Sequence, residues 1–262
     1  MTEKAEKEKT AKEDEIREHL KGFARTIPSF LMAYGNETTT LETFEKDIPA
    51  DVFKAVTSIT IEEFIFLRDG GDYEDDETKE QKHFDGNVFE ATVFNDAIKA
   101  FLKKKQDLSN YFEVNQKEDI FDYIPPQKTN QIYTPKNIVK QMVDLLEENN
   151  PNCFEDETKT FLDPYMKSGL FIAELVKRLY QSKRLQELYP NKEERLKHIF
   201  EYQVYGLAPT EIIYKIATNF VLGFDENLSI EKHNLEQFDA QPYTEDGTLE
   251  QKLDELFRAN NS

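Results

Sequence analysis

The chain of 262 residues has a single cysteine, Cys153, and no long apolar run. One cysteine excludes an intrachain disulfide framework and a cysteine zinc site, and it is compatible with a reducing cytoplasm. No apolar stretch approaches the roughly 20 residues of a membrane span. The start, MTEKAEKEKTAKEDE, is rich in Lys and Glu and lacks the apolar segment of a signal peptide. We therefore expect a cytoplasmic protein without a membrane partner.

The chain is also short of positive charge. Its 33 Lys and Arg residues stand against 52 Asp and Glu residues, which gives a formal net charge of -19. Such a charge repels a phosphate backbone, so we expect contact with DNA to depend on missing or neighbouring segments. The four histidines, His19, His83, His198 and His233, show no metal-ligand spacing, and no metal site is predicted.

The length favours two unequal parts, since single domains most often have about 100 to 150 residues. Residues 1–15 have almost nothing to bury and are predicted to be a disordered or frayed arm. Residues 16–124 carry short helical patterns and are predicted to be a helical domain. Its acidic interruption, RDGGDYEDDETKEQKHFDG (residues 68–86), lacks calcium-ligand spacing and is predicted to be an exposed loop. Pro125 and Pro126 mark the boundary to a second domain.

Strand and helix patterns alternate within residues 125–262. Strands are predicted in KTFLD, QVYGL and LSIEKHN, and helices in SGLFIAELVKRLYQ, PNKEERLKHIFEY, PTEIIYKIATNFVLG and TLEQKLDELFRA. The fold class is therefore α/β, with an N-terminal helical domain followed by a partial doubly wound, Rossmann-like domain. An exposed strand edge in such a partial sheet favours association, and we expect aggregation or dimerisation through it.

An amphipathic helix is predicted just before the first of these strands. Thr134 is expected to cap this helix, with Pro135 as its first residue. The apolar residues of the helix recur at helical spacing and are expected to form one buried stripe: Ile138, Val139, Met142, Val143, Leu145 and Leu146.

Three short loops follow the predicted strands: DPYMKSG (163–169), GLAPTE (206–211) and FDAQPY (238–243). In an open parallel sheet, ligands bind outside the carboxyl ends of the strands. Taken in order after the helix start IYTPKNIV, the loops resemble adenine-specific DNA methyltransferases of restriction-modification systems. The matching residues are Tyr133, Thr134, Pro135, Asp163, Pro164, Ser168, Gly169, Tyr205, Gly206, Asp239 and Ala240. The resemblance covers residues 131–258, about half of the chain.

The stretches GFARTIPSFLMAYG and EDIFDYIPPQKTNQIYTPK resemble, more closely still, large single-chain restriction enzymes. In those enzymes a helicase motor is followed by a helical connector and then by the methyltransferase domain. No GKT phosphate-loop pattern occurs here, so the motor is absent from these residues. The resemblance implies a piece of such an enzyme, whose partners are DNA and other parts of a restriction-modification complex.

The methyltransferase resemblance implies S-adenosylmethionine as cofactor. Asp163 is expected to accept a hydrogen bond from the ligand's ammonium group or to order the loop. Ser168 and Gly169 are expected to offer backbone N–H groups to the ligand's carboxylate. Asp239 is expected to accept from the adenine amino group, while the backbone around Thr134 closes over the methionine end. The implied cofactor-binding set is Tyr133, Thr134, Pro135, Asp163, Pro164, Ser168, Gly169, Glu211, Asp239 and Ala240.

Three departures from the family pattern bear on activity. Bulky Tyr165, Met166 and Lys167 stand where the family has small residues, in position to obstruct the pocket. Ala208 replaces the acid that holds the ribose in the family, and Glu211 is a displaced substitute. The catalytic NPPY motif occurs nowhere in the sequence, so no catalytic residue is assigned. We expect that this polypeptide alone transfers no methyl groups.

Other interpretations of the same residues remain open. A non-catalytic scaffold or docking module between helicase and DNA-recognition parts is the main alternative, and a small-molecule methyltransferase is a third hypothesis. Asp163 can simply end a strand and cap a turn, and Lys167 can be a solvated loop lysine. Tyr133 and Tyr205 can pack in the core, and Glu211 suits the first turn of a helix.

Overall fold

The computed structural model describes residues 20–75, 78–113, 116, 118–125, 133–225 and 227–259. The chain divides into two compact units, Met1–Gln106 with Ile124–Gln127 and Asp107–Tyr123 with Lys128–Ser262. The predicted arm at residues 1–15 and the second proline of the predicted boundary, Pro126, lie outside the described residues. Within the described ranges, no helix is both long enough and apolar enough to cross a bilayer.

The first unit combines helices with a small antiparallel sheet. Its elements are α1 (residues 20–33), α2 (Ala50–Thr57), α3 (Ile61–Asp69), β1 (Gly71–Glu74), β2 (Gln81–Phe84) and α4 (Ala91–Asp107). The two strands pair antiparallel, with Gly71 opposite Phe84. The prediction of a loop at residues 68–86 is therefore wrong where the chain forms β1 and β2. They form because Tyr73 and Phe84 both pack against the ring of Phe66.

Phenylalanine side chains form the core of the first unit. Pairs of buried rings lie with their centroids 5.3 to 6.2 Å apart, and the rings involved are Phe23, Phe30, Phe44, Phe53 and Phe64. Aromatic pairs at such distances bury large apolar areas and add favourable ring contacts. The side chain of Lys105 on α4 donates to three carbonyl groups at the end of α1: Leu31, Met32 and Gly35.

The second unit is built around a three-stranded parallel sheet of β3 (Phe161–Asp163), β4 (Val204–Ala208) and β5 (Asn234–Gln237), in that order. Its helices are α5 (Lys136–Asn149), α6 (Leu170–Gln181), α7 (Lys183–Leu188), α8 (Lys192–His198), α9 (Glu211–Leu222), α10 (Gln241–Glu245) and α11 (Leu249–Ala259). Shorter helical turns occupy Ile120–Tyr123, Cys153–Glu155 and Ile199–Gln203. The mixed α/β composition predicted from the sequence is thus confirmed.

The third strand of the sheet lies later than predicted. The sequence pattern placed it at residues 228–234, whereas β5 begins at Asn234. The Asn234 amide donates to the carbonyl groups of Phe200 and Glu201, which fixes the start of the strand beside the turn before β4. Leu235 is the fully buried side chain of β5 and follows the predicted stretch, so the sequence pattern used for the prediction did not include it.

Helix α5 differs from its prediction in both its start and its buried face. Pro135 is the N-cap, with no side-chain cap, so Thr134 lies one residue before it. Of the predicted stripe, only Val139 and Val143 are buried, and the other four residues are 37 to 54% exposed: Leu146, Ile138, Met142 and Leu145. The apolar face of α5 is therefore wider than the surface that α6 covers.

Arg178 on α6 connects these two helices. Its guanidinium group donates to Asp144 and, over 2.9 Å, to Glu147, both on α5. It also donates to Glu174 on its own helix over 3.0 Å. One half-buried cation thus contacts three carboxylates and fixes the position of α5 against α6.

Candidate functional site

The carboxyl ends of the three parallel strands lie at one edge of the sheet. β3 ends at Asp163, opposite Gly206, and its loop leads into α6. β4 ends at Ala208, whose carbonyl accepts from the N–H of Phe238 after β5 over 2.8 Å. All three predicted loops therefore leave the sheet at the same edge, as expected for a ligand site in a parallel sheet.

Asp163 is a half-buried carboxylic acid at the end of β3. One of its oxygens accepts from the N–H of Tyr165 over 3.1 Å, which turns the chain out of the strand. Among the described residues, no ammonium or guanidinium group forms an ion pair with Asp163. Burial raises the pKa of this acid from 3.8 to about 6, although the hydrogen bond from Tyr165 acts in the opposite direction. The site thus holds an acid suited to a cationic partner.

The three bulky residues of the first loop lie in different places. Met166 is fully buried, and its N–H donates to the carbonyl of Leu207 over 2.7 Å. Its side chain lies over Gly206 in the sheet, beneath the loop. Tyr165 is largely exposed, and the Lys167 ammonium group lies 5.5 Å from the centre of the Tyr165 ring. Of these three bulky residues, only Tyr165 and Lys167 are therefore near the surface of the site.

The loop ends in a tight turn at Ser168 and Gly169, before α6. The Ser168 hydroxyl is buried and accepts from the N–H of Leu170 over 3.3 Å, so this N–H group of the helix start already has a partner. Gly169 has φ of 83°, and a β-carbon there would lie 2.6 Å from Cγ2 of Val221 on α9. Glycine is needed at this position for its backbone angle and for the close approach of α9.

A cavity of about 110 Å³ opens at this turn. Its lining residues are Thr134, Asp163, Tyr165, Lys167, Ser168, Gly169, Leu170 and Phe171. Four of the predicted residues, Thr134, Asp163, Ser168 and Gly169, are thus brought together. Its lining residues carry one acid, one amine and three hydroxyl groups, which complement the ammonium and carboxylate groups of an α-amino acid.

The predicted residues near the helix start and the first loop have other surroundings. The ring of Tyr133 packs against Phe121, with centroids 4.9 Å apart. Pro135 caps α5, and Pro164 lines a separate groove beside β3. None of these three lines the small cavity. Their roles in the structure are packing, helix capping and the shape of the strand edge.

The predicted residues of the second and third loops also lie outside the cavity. Glu211 is the first residue of α9, in a position that suits an acid. Asp239 is exposed and accepts from the N–H of Gln241 over 3.1 Å, and buried Ala240 is the N-cap of α10. Tyr205 packs on Phe257, with ring centroids 4.8 Å apart. The cavity therefore belongs to the first loop and the start of α5.

The size of the cavity limits what it encloses. Small-molecule pockets usually measure about 300 to 1,000 Å³, so 110 Å³ holds only part of a ligand such as S-adenosylmethionine. The cavity is lined by groups that complement an α-amino acid, and Ala208, the last residue of β4, contributes no acid at this edge of the sheet. From the sequence, Lys167 was expected to be a bulky residue that obstructs the pocket or a solvated loop lysine. It lines the cavity, with its ammonium group beside the ring of Tyr165. No protein-family model, curated protein or solved structure matches the chain.

Proposed function

We propose that the second unit binds S-adenosylmethionine, as the partial Rossmann-like cofactor domain of an adenine-specific DNA methyltransferase from a restriction-modification system. The observation that supports this most is the cavity at the end of β3, where Thr134, Asp163, Lys167 and Ser168 meet. The ligand's ammonium group pairs with the Asp163 carboxylate, and its carboxylate lies toward Lys167 and the start of α6. The first unit acts as the helical connector of the larger enzyme.

Charge explains why Asp163 is the central residue of this proposal. A carboxyl group with a pKa of about 6 is mostly ionised at neutral pH, yet burial disfavours its charge. An ammonium group supplied by a ligand offsets that cost through a charge-assisted hydrogen bond, which contributes about 1.5 to 3 kcal/mol. The amino acid end of the ligand therefore gains more at Asp163 than at an exposed acid.

Methyl transfer and DNA recognition belong to other segments in this proposal. The parent reaction moves a methyl group from S-adenosylmethionine to the exocyclic amino group of adenine in DNA. The 262 residues contain no NPPY motif, and their net charge of -19 repels DNA. We propose that this chain supplies the cofactor site to a larger complex and transfers no methyl groups alone.

A calorimetric titration of the purified chain with S-adenosylmethionine tests the proposal. Saturable binding is expected for the wild type, with at least about a tenfold loss of affinity in Asp163→Ala. Asp246→Ala is the matched control, because Asp246 is an exposed acid in the loop after α10 and does not line the cavity. Absence of binding by a chain that unfolds cooperatively would contradict the proposal.

A second candidate function is a non-catalytic docking module within the same kind of complex. The small volume of the cavity, with Tyr165 and Lys167 on its wall, is the observation that favours it. In that case the loop keeps only its structural role, with Met166 anchored on the sheet. The same titration separates the two functions, since a docking module does not bind S-adenosylmethionine.

A further inference from the structure

The first unit contains a cavity of its own, with a volume of about 660 Å³. Its walls come from α1, the end of α2, α3, both strands of the hairpin and the segment before α4. All of its lining residues belong to the first unit, so the cavity is formed within one compact body. Its volume lies within the range of about 300 to 1,000 Å³ that is usual for small-molecule pockets.

Aromatic side chains dominate the lining of this cavity. Five of its ten lining residues carry rings: Phe23, Phe66, Tyr73, Phe84 and Phe89. The Phe66 ring lies 6.2 Å from that of Tyr73 and 5.2 Å from that of Phe84, between centroids. The Phe23 and Phe89 rings lie 5.3 Å apart. Rings that pack on one another in this way form a wall to which a further aromatic ring adds by offset or edge-to-face contacts.

The lining offers almost no polar groups. Among the residues that line the cavity there is no Lys, Arg, His, Asp or Glu, and the side-chain hydroxyl groups are those of Thr57 and Tyr73. The Thr57 hydroxyl donates to the carbonyl of Phe53 over 2.7 Å and accepts from the N–H of Ile59 over 3.2 Å. An ion that entered such a cavity would lose its hydration without gaining a partner. The lining therefore selects a neutral occupant.

The size and polarity of the cavity favour an organic occupant over water. A buried water molecule needs two to four polar partners, whereas an apolar cavity of about 150 Å³ is already large enough to bind benzene. The cavity in the first unit is several times larger. Tyr73 lines it while 41% exposed, so the cavity is open to solvent at this residue.

We propose that this cavity binds a neutral aromatic molecule of two or three rings. The rings of the ligand pack against Phe66, Phe84 and the other aromatic walls, and removal of apolar surface from water supplies most of the affinity. The Tyr73 hydroxyl offers a hydrogen bond to a polar substituent at the opening. This site goes beyond the proposed cofactor binding and does not depend on it, because no residue of the second unit lines the cavity.

The test titrates the full chain with N-phenyl-1-naphthylamine, a neutral dye of three rings whose fluorescence increases in apolar surroundings. Saturable binding of one dye per chain is expected. The matched ligand is 8-anilino-1-naphthalenesulfonate, which has the same rings and one negative charge. It is expected to bind at least about tenfold more weakly, because the lining has no cation and the chain has a net charge of -19.

Two pairs of variants locate the dye. Val88→Trp fills the cavity and should weaken binding of the neutral dye by about tenfold or more. Its matched control is Val93→Trp, because Val93 is 67% exposed on α4 and does not line the cavity. Tyr73→Ala, at an exposed position, keeps the test independent of the folding of Val88→Trp and should weaken binding several-fold. Tyr202→Ala, at an exposed position of the second unit, is its control.

Four results would overturn the proposal. One is the absence of saturable binding to a wild-type chain that unfolds cooperatively. Another is equal affinity for the neutral dye and its sulfonate. A third is binding that Val88→Trp and Tyr73→Ala leave unchanged in folded chains. The fourth is a dimer in sedimentation velocity that Val88→Trp dissociates and Val93→Trp does not, because a second copy of the chain would then be the occupant.

Discussion

The sulfur atom of Met166 fills the space above Gly206, where a β-carbon would lie only 2.8 Å from it. The loop that carries Asp163 therefore rests on the middle strand of the sheet through a fully buried side chain. Leu235 on β5 approaches the same position to 3.0 Å. The position of the acid in the cavity thus depends on packing beneath the loop.

Substitutions at these two positions are expected to be coupled. Met166→Ala should lower the free energy of unfolding by about 2 to 4 kcal/mol through the cavity it creates. Gly206→Ala should cost about 1 to 3 kcal/mol through overpacking. The double variant should lose clearly less than the sum, because the new β-carbon enters the space that the sulfur leaves. Urea unfolding measures all three, and strictly additive losses would contradict the packing.

Gly169 at the start of α6 is expected to be required for stability, whereas Gly22 on α1 is not. Gly169→Ala should destabilise the second unit by about 2 to 4 kcal/mol, because it combines a positive φ with a contact of 2.6 Å to Val221. Gly22→Ala is the control, since nothing lies within 4 Å of its added β-carbon, and it should stabilise α1 by about 0.5 to 1 kcal/mol. Thermal unfolding of both variants tests the difference in sign.

The ion pairs of Arg178 should contribute more to the free energy of unfolding than an exposed ion pair does. Arg178→Met is expected to lower the free energy of unfolding by about 1 to 3 kcal/mol, because it leaves three carboxylates of α5 and α6 without their shared cation. Lys197→Met removes an exposed pair with Glu193 and should leave the free energy of unfolding nearly unchanged. Equal losses in denaturant unfolding would show that Arg178 does not hold the two helices together.

The raised pKa of Asp163 predicts a pH dependence of stability. Its folded pKa of about 6 is above the ordinary value of 3.8, so the folded chain binds more protons between these pH values. Stability from this group therefore falls as pH rises from about 4 to about 6, and the loss remains above that range. Asp163→Asn should be more stable than wild type by about 1 to 3 kcal/mol at pH 7, and by much less at pH 4. Unfolding free energies measured across this range check the trend, which a constant difference would contradict.

The sequence predicted the parallel sheet because its strands and helices alternate and the buried residues lie together in short runs. β3 lies within the predicted stretch KTFLD, and β4 overlaps QVYGL and extends one residue beyond it, to Ala208. The hairpin of β1 and β2 was not predicted because this stretch is rich in acidic residues. Its two rings, Tyr73 and Phe84, pack against Phe66 only in the folded unit. β5 was displaced because the hydrogen bonds of Asn234 are to residues distant in sequence.

The candidate site was predictable where residues adjoin the end of a strand. Asp163 is the last residue of β3, and Ser168 and Gly169 end the short loop that follows it, so the strand places them. Lys167 was predicted only as a bulky or solvated loop residue and not as part of the cofactor-binding set, whereas it lines the cavity beside the ring of Tyr165. The exposed half of the α5 stripe was not predicted either, because helical periodicity identifies an apolar face but not the width of what covers it.

The most direct test compares S-adenosylmethionine with 5′-methylthioadenosine, which lacks the amino acid end, in calorimetric titrations of wild type and Asp163→Asn. The wild type is expected to bind S-adenosylmethionine at least about tenfold more tightly, with a further loss below pH 6 as Asp163 is protonated. Asp163→Asn should remove that preference and leave 5′-methylthioadenosine unaffected. Equal binding of the two ligands by the wild type, unchanged in the variant, would contradict the assignment of the cavity to the amino acid end.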